Sequence, residues 1–257
     1  MRYLIVGLVS IALLACGESR EKNSVQAPEE SVIKVVAEDS LGSDFSTKES
    51  PPAIGELEQR LIDAGLVDIQ QVIPEVLVDL RYAGTDNFFG KNVYGELANC
   101  YLQPEVAEML KKAHQSLKEK KPSLTFLIFD GVRPQSVQQI LWDELDKPDS
   151  IKPLYVADPQ KGSLHNFGVA VDLTVADGTN GEPLDMGTGF DYFGYPAYPD
   201  REAQMLREGK INQGHVNNRQ ILREVMNNAG FSGVGSEWWH FNAFSRKVAG
   251  EKFDIVK

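Results

Sequence analysis

The sequence predicts an α+β fold: a central, mainly antiparallel sheet flanked by helices, with a metal site at one end of the sheet. Three observations predict it. Apolar residues recur at helical spacing in separate segments, most clearly Val106, Met109, Leu110, Ala113 and Leu117. Between such segments lie apolar runs of strand length, Leu124 to Phe129 and Val169 to Val175. Two of the chain's four histidines, His165 and His240, lie close to or within such strands, where they can meet the carboxylate of Asp172.

The N-terminus is a different kind of object. Arg2 precedes an apolar run from Leu4 to Leu14, and Leu13-Leu14-Ala15-Cys16 reads as a cleavage site ending in cysteine. The run is shorter than the roughly 20 residues of a membrane span. It predicts a lipoprotein signal over residues 1–15, with Cys16 lipidated and the protein exported and anchored in the cell envelope. Gly17 follows the cysteine where an aspartate would favour inner-membrane retention, so outer-membrane anchoring is expected in a diderm cell. Residues 16–52 are rich in Ser, Glu, Asp and Lys and bury too little to offset ordering, which predicts a disordered tether; Val32 to Val36 is its one apolar patch. The folded domain is then 53–257.

Within that domain Ile54, Leu57, Leu61 and Ile62 share a helical face that Gly65 closes. Val72 to Tyr82 reads as extended, with Pro74 placing its start at a sheet edge. Ala83 to Gly95 is a glycine-rich loop whose Phe88, Phe89 and Tyr94 can wall a pocket. Pro104 opens a second helix; His114 beside its apolar stripe reads as a structural residue, solvated or half-buried. After Leu124 to Phe129 a third helix carries Val137, Ile140, Leu141 and Leu145 on one face. Asp149 to Gly162 is an irregular surface loop, and Asp177 to Tyr198 a long aromatic one of the kind that carries function. Ile221 to Ala229 marks the last helix and Trp238 to Phe244 the last strand. Cys100 reads as a small buried apolar residue.

A net charge of −11 with no basic cluster argues against nucleic-acid binding. The histidines point elsewhere. A hydrolytic zinc site needs three protein ligands, an open position and a nearby carboxylate to handle the proton. His165, Asp172 and His240 can supply the ligands for one Zn2+ per chain, and Glu237 the base. Asp172 lies mid-strand opposite in parity to Val171 and Leu173, a costly place for a carboxylate unless it is paired or metal-bound. Glu237, three positions before His240, has the wrong parity for a straight strand and must lie at a bend, which Gly233 and Gly235 allow. The helical HExxH pattern is absent.

Four ordered motifs now stand together: Asp130-Gly-Val-Arg-Pro134, Ser163-Leu-His-Asn-Phe-Gly-Val-Ala-Val-Asp-Leu-Thr174, Met186-Gly-Thr-Gly-Phe-Asp191 and Glu237-Trp-Trp-His240. With the stretch from Val78 to Lys91, they make the chain from about Gly65 onward resemble the D-alanyl-D-alanine dipeptidases of the vancomycin-resistance type, within the zinc D,D-peptidases. The resemblance implies zinc on His165, Asp172 and His240, with Glu237 as catalytic base and Arg133 stabilising the transition state. It places Ser163 and Asp191 near the substrate, Asp191 receiving its free ammonium, and Tyr82 in the pocket. Val132 stands where a tyrosine is common in the family, and Asp149 to Gly162 matches poorly. The expected activity is hydrolysis of D-Ala-D-Ala. A D,D- or L,D-carboxypeptidase trimming peptidoglycan stems is a rival with the same chemistry, and a non-catalytic wall-binding lipoprotein one from another class; the latter needs neither Glu237 nor Arg133.

Overall fold

The structure, a computed structural model, describes residues 54–257. The expected signal segment, Cys16 and the tether lie outside the described residues. The described chain opens with helix α1 (Glu56–Asp63), a short strand β1 (Val67–Asp68) and a single helical turn α2 (Ile69–Val72). Leu61 is the buried anchor of α1, while Ile54 precedes the helix and stays exposed.

The run from Val72 to Tyr82 is not one extended segment. It holds the end of α2, a turn at Pro74, strand β2 (Leu77–Val78) and a 3-10 turn, Arg81–Ala83. The expected edge position holds, since β2 is the outermost strand of its sheet. Strand β3 (Tyr101–Leu102) pairs antiparallel with β1 in a separate two-stranded sheet. Such two-residue strands carry no periodicity, which is why the sequence hides them.

Helix α3 (Pro104–Lys120) starts with proline in its first turn and buries Val106, Leu110, Ala113 and Leu117, as its stripe requires. His114 is fully buried rather than half-solvated: its Nε2 lies 3.0 Å from the Thr125 hydroxyl, which in turn donates to the Glu75 carbonyl oxygen. Strand β4 (Leu124–Asp130) is buried along almost its whole length and leads through Gly131 into helix α4 (Gln135–Glu144). A side chain on Gly131 would place its Cβ 2.5 Å from Cys100 Sγ and 2.8 Å from the Tyr101 carbonyl oxygen, so only glycine lets this turn pack. Cys100 is buried there as a packing residue. On α4 the buried positions are Val137, Gln138 and Leu141; Ile140 faces outward, and a glutamine takes its expected place for a reason given below.

Strand β5 (Ala170–Asp177) lies at the centre of a five-stranded sheet of order β2-β4-β5-β7-β6. Only the β2–β4 pair is parallel, so the sheet is mainly antiparallel as expected. Beyond the aromatic loop come α5 (Glu202–Arg207), α6 (Gln213–Asn228), β6 (Ser232–Gly233), β7 (His240–Asn242) and α7 (Arg246–Lys252). Helix α6 thus begins well before Ile221, and α7 is the last helix. The final strand is three residues long; Trp238 and Trp239 precede it in a bend. Helices α3 and α6 pack against each other, α3 also against β4 and α6 against β5, giving a core centred on the sheet.

Candidate active site

Strand register builds the site. Asp172 on β5 pairs with Asp130 on β4 on one side and with His240 on β7 on the other, so these three residues form one row across the sheet. The β4–β5 ladder shifts between Ile128 and Asp130, a bulge that brings Asp130 onto that row. His165 arrives from outside the sheet on the 3-10 turn Leu164–Phe167, which Ser163 caps by accepting a hydrogen bond from the His165 amide at 3.1 Å. His165, Asp172 and His240 bring ligand atoms to within 4.8 Å of one another, the one such group of three found among the described residues.

The protonation of both rings can be read from their neighbours. His165 Nδ1 lies 2.7 Å from the Gly131 carbonyl oxygen, which only accepts, so Nδ1 carries a proton and Nε2 is the nitrogen turned inward. That Nε2 is 3.5 Å from Asp172 Oδ1 and 3.2 Å from His240 Nδ1. His240 Nε2 lies 2.8 Å from Asn242 Oδ1, leaving Nδ1 turned inward at 2.9 Å from Asp172 Oδ1. Two inward ring nitrogens and one carboxylate oxygen, each fixed by an outer hydrogen bond or burial, form the donor set expected for a transition-metal cation. The residues present therefore fit a bound metal. Burial resists ionisation of Asp172, yet His165 and His240 beside it hold its carboxyl well below the usual range. Burial likewise disfavours a charged His240, but hydrogen bonding and charge from Asp172 outweigh it and raise that ring to about 9.

Glu237 lies in the bend before β7, as its parity required, with Oε2 4.0 Å from His240 Nδ1. Burial, against the opposing charge of His240 and with the charge of Asp172 adding to it, raises its carboxyl above the ordinary glutamate value, and a more basic carboxylate is the better proton acceptor. Arg133 is almost wholly buried; Nε and Nη2 donate to Asp130 Oδ2 at 3.1 and 2.5 Å, and Nη1 donates to Gln138 Oε1 at 3.2 Å. Its guanidinium carbon lies 4.7 Å from the centre of the Tyr82 ring. Gln138 completes the tie by donating to the Ala157 carbonyl oxygen, which explains its buried place on α4.

Tyr82 donates its phenol to Asp191 Oδ2 at 3.1 Å, and the Phe88 amide donates to the same oxygen at 3.3 Å. Asp191 adopts φ 57°, the left-handed region that non-glycine residues avoid. Burial, with the charge of Asp172 adding to it, raises its carboxyl to about 7. All eight residues expected at the site, Tyr82, Arg133, Ser163, His165, Asp172, Asp191, Glu237 and His240, line one cavity of about 130 Å³. Tyr155, Val156, Ala157, Phe193 and Trp239 complete its wall. A larger cavity of about 660 Å³ lies beyond Asp191, lined by Arg81, Phe129, Thr174 and Trp238 among others, and holds none of the three candidate ligands. Size alone would misplace the chemistry.

The sequence reading left out Asp130, Gln138, Asn166 and Asn242. Asp130 lay in a quoted motif, but its partner Arg133 is set by the turn and not by spacing. Asn166 donates to the Arg133 carbonyl oxygen at 2.6 Å and accepts from the Ser163 amide, tying two motifs together. Asn242 had a legible signal, two residues from His240 on the same strand face.

Comparison with known proteins decides the family. A family model for D-ala-D-ala dipeptidase, Peptidase M15, matches residues 62–257. The chain belongs to this family. A D-alanyl-D-alanine dipeptidase of Escherichia coli (strain K12) is 36% identical over 176 residues, covering 68% of this chain and 83% of the relative. One from Enterococcus faecium is 29% identical over 211 residues, covering 76% of this chain and 98% of the relative. Among solved structures, VanYB in complex with D-Alanine-D-Alanine aligns at TM-score 0.36 and 15% identity, covering 59% of this chain and 76% of that one. As an M15 peptidase the protein is a hydrolase, and the matched segment contains every residue of the cavity.

Proposed function

We propose that this M15 peptidase hydrolyses D-alanyl-D-alanine, or a similar D,D-dipeptide, with one zinc ion per chain held by His165, Asp172 and His240. Zinc at that position supplies Lewis-acid polarisation and eases ionisation of water. The remaining work belongs to the chain. Glu237 takes the proton of the attacking water and passes it to the leaving amine. Arg133, fixed by Asp130 and Gln138, presents positive charge to the developing oxyanion or to the substrate carboxylate. Asp191, oriented by Tyr82, receives the ammonium of the free dipeptide.

The observation that carries this reading is the size of the cavity together with what stands at its wall. The cavity is small, about 130 Å³, and the buried carboxylate of Asp191 stands in the wall it shares with Glu237, Arg133 and the candidate metal ligands, which suits the ammonium of a free dipeptide. A stem-trimming carboxypeptidase acts where the amine is already in a peptide bond and has no use for a carboxylate at that place. A non-catalytic wall-binding role leaves the raised Glu237 carboxyl and the buried Arg133 without a task.

The test compares D-alanine release from D-Ala-D-Ala, its N-acetylated form and a pentapeptide stem by the zinc-loaded protein. Cleavage of the free dipeptide alone supports the reading; equal cleavage of the blocked substrates rejects it in favour of the carboxypeptidase. The proposal extends to location: lipid on Cys16 would hold the enzyme at the periplasmic face of the envelope, in the outer membrane of a diderm cell. Replacing Cys16 with alanine should then release the protein from the membrane fraction, and an unchanged distribution would reject the anchor.

A further inference from the structure

The loop that carries Asp191 is gripped from behind by one face of α6. Arg219 on that helix is fully buried, and its guanidinium spans the loop. Nε donates to the Met186 carbonyl oxygen and Nη2 to the Pro196 carbonyl oxygen, both at 2.8 Å. Those two carbonyls bracket Asp191, five residues before it and five after (191 − 186 and 196 − 191). The remaining nitrogen, Nη1, lies 3.4 Å from Glu202, which Arg223 also pairs at 2.6 and 2.9 Å.

Two neighbours on α6 reinforce the grip. Asn218 donates to the Asp185 carbonyl oxygen at 2.8 Å, and His215 Nε2 lies 3.0 Å from Asp185 Oδ2. Gly187, with φ +83°, passes so close that a Cβ there would come within 2.5 Å of His215 Nδ1, so the loop meets the helix without a gap. Between the anchored ends, Asp191 is the one non-glycine residue with positive φ among the described residues. A left-handed aspartate is strained and persists only where its surroundings over-determine it. A Cβ built at Gly189 would meet nothing within 4 Å, so packing at that position does not itself hold the turn.

We propose that Arg219 is the positioning residue for the ammonium anchor: by holding the Met186 and Pro196 carbonyls it keeps Asp191 turned into the cavity, and so sets the enzyme's demand for a substrate with a free amine. The inference rests on the dipeptidase reading above. Arg219 is not among the cavity-lining residues and acts only through the loop. Its effect therefore falls on binding of the amine end and not on the proton transfers at Glu237.

The test uses the full chain, zinc-loaded, as wild type, Arg219→Lys and Asn218→Ala. Lysine keeps the charge beside Glu202 but cannot reach both carbonyls with a planar fork. Arg219→Lys should raise KM for D-Ala-D-Ala about tenfold with kcat within about twofold, the pattern of lost binding rather than lost chemistry. The preference for the free over the N-acetylated dipeptide should fall by the same factor, with zinc content unchanged and faster amide exchange confined to residues 186–196. Asn218→Ala, at the exposed end of the grip, should shift KM in the same direction by about threefold, and it carries the test if the lysine variant fails to fold. Unmoved KM and preference in a folded variant overturn the inference, as does a joint fall of kcat and zinc content with preference intact. A wild type that never prefers the free dipeptide refutes the dipeptidase reading first, and this inference with it.

Discussion

Asp130 and Arg133, three residues apart across the turn that ends β4, form a buried ion pair in which both Nε and Nη2 converge on Asp130 Oδ2. The other oxygen, Oδ1, accepts from the Tyr94 hydroxyl at 2.5 Å and from the Gly131 amide at 3.0 Å. Each Asp130 oxygen accepts two hydrogen bonds, which is the condition under which a buried pair fixes geometry instead of destabilising it, and Arg133 keeps further N–H groups for the cavity. The cluster adjoins the candidate metal ligands, because Asp130 Oδ2 is also 3.7 Å from His165 Nδ1. One carboxylate thus holds the arginine and faces the outer edge of a candidate ligand ring.

Breaking this pair from one side leaves a buried charge uncompensated. Asp130→Asn should lower the unfolding free energy by about 3–5 kcal/mol. Tyr94→Phe keeps the ion pair and removes one charge-assisted hydrogen bond, so its cost should be about 1.5–3 kcal/mol. Urea denaturation of the zinc-loaded proteins measures both. Equal losses for the two variants would show that the phenol, and not the arginine, is the partner that matters.

Glu237 approaches the triad without belonging to it, 4.0 Å from His240 Nδ1 and more exposed than the three candidate ligands. Glu237→Gln should therefore bind zinc with the stoichiometry of the wild type while kcat falls by about 10²–10⁴. Metal analysis and steady-state kinetics on one preparation suffice. Loss of the metal along with activity would make Glu237 a ligand.

The large elements were legible because their periodicity survives translation into structure: α3 from its stripe, β4 and β5 from apolar runs of strand length. The candidate ligands stood out because Asp172 broke the pattern of its own strand. The parity of Glu237 relative to His240 even required the bend that the structure contains. What stayed hidden depends on contacts between distant segments. The extended reading of Val72 to Tyr82 failed because two residues of β2 are all that pair, before Arg81 to Ala83 turns Tyr82 toward Asp191. His114 looked half-exposed on its helix because its partner Thr125 comes from another element. Gln138 and Arg219 gave no signal, since a polar residue near an apolar stripe reads as surface until the carbonyls it satisfies are known.

Asp191 carries a pH dependence with a definite sign. Its carboxyl is raised from 3.8 to about 7 by burial and by the charge of Asp172, so between these values the folded protein binds a proton the unfolded chain has lost. Stability from this group is present at acid pH and declines as pH rises towards 7. Asp191→Asn should remove that decline and leave the variant more stable than wild type at pH 8 by roughly 1–4 kcal/mol, with little difference near pH 4. The same substitution removes the charge an ammonium needs, so KM for D-Ala-D-Ala should rise. In the wild type that KM should fall as pH climbs through about 7. Thermal melts at the two pH values and a KM profile check both halves, and a variant less stable at pH 8 would contradict the assignment.

Asn242 offers the most direct probe of the metal reading, because it touches neither the proposed substrate nor the inward-facing ring nitrogen. Its side-chain oxygen lies 2.8 Å from His240 Nε2 and fixes which nitrogen turns inward. Groups that orient a ligating imidazole from outside typically account for about 10–100-fold in metal affinity. Asn242→Ala should weaken zinc binding within that range, as measured by competition with a chelator of known affinity. At saturating zinc, kcat should recover most of the wild-type value, since Glu237 and Arg133 are untouched. Asn242→Asp places a carboxylate against the same ring nitrogen and should hold zinc at least as tightly as wild type. If alanine and aspartate bind zinc equally well, His240 does not depend on this contact, and the ring's inward nitrogen is set instead by Asp172 alone.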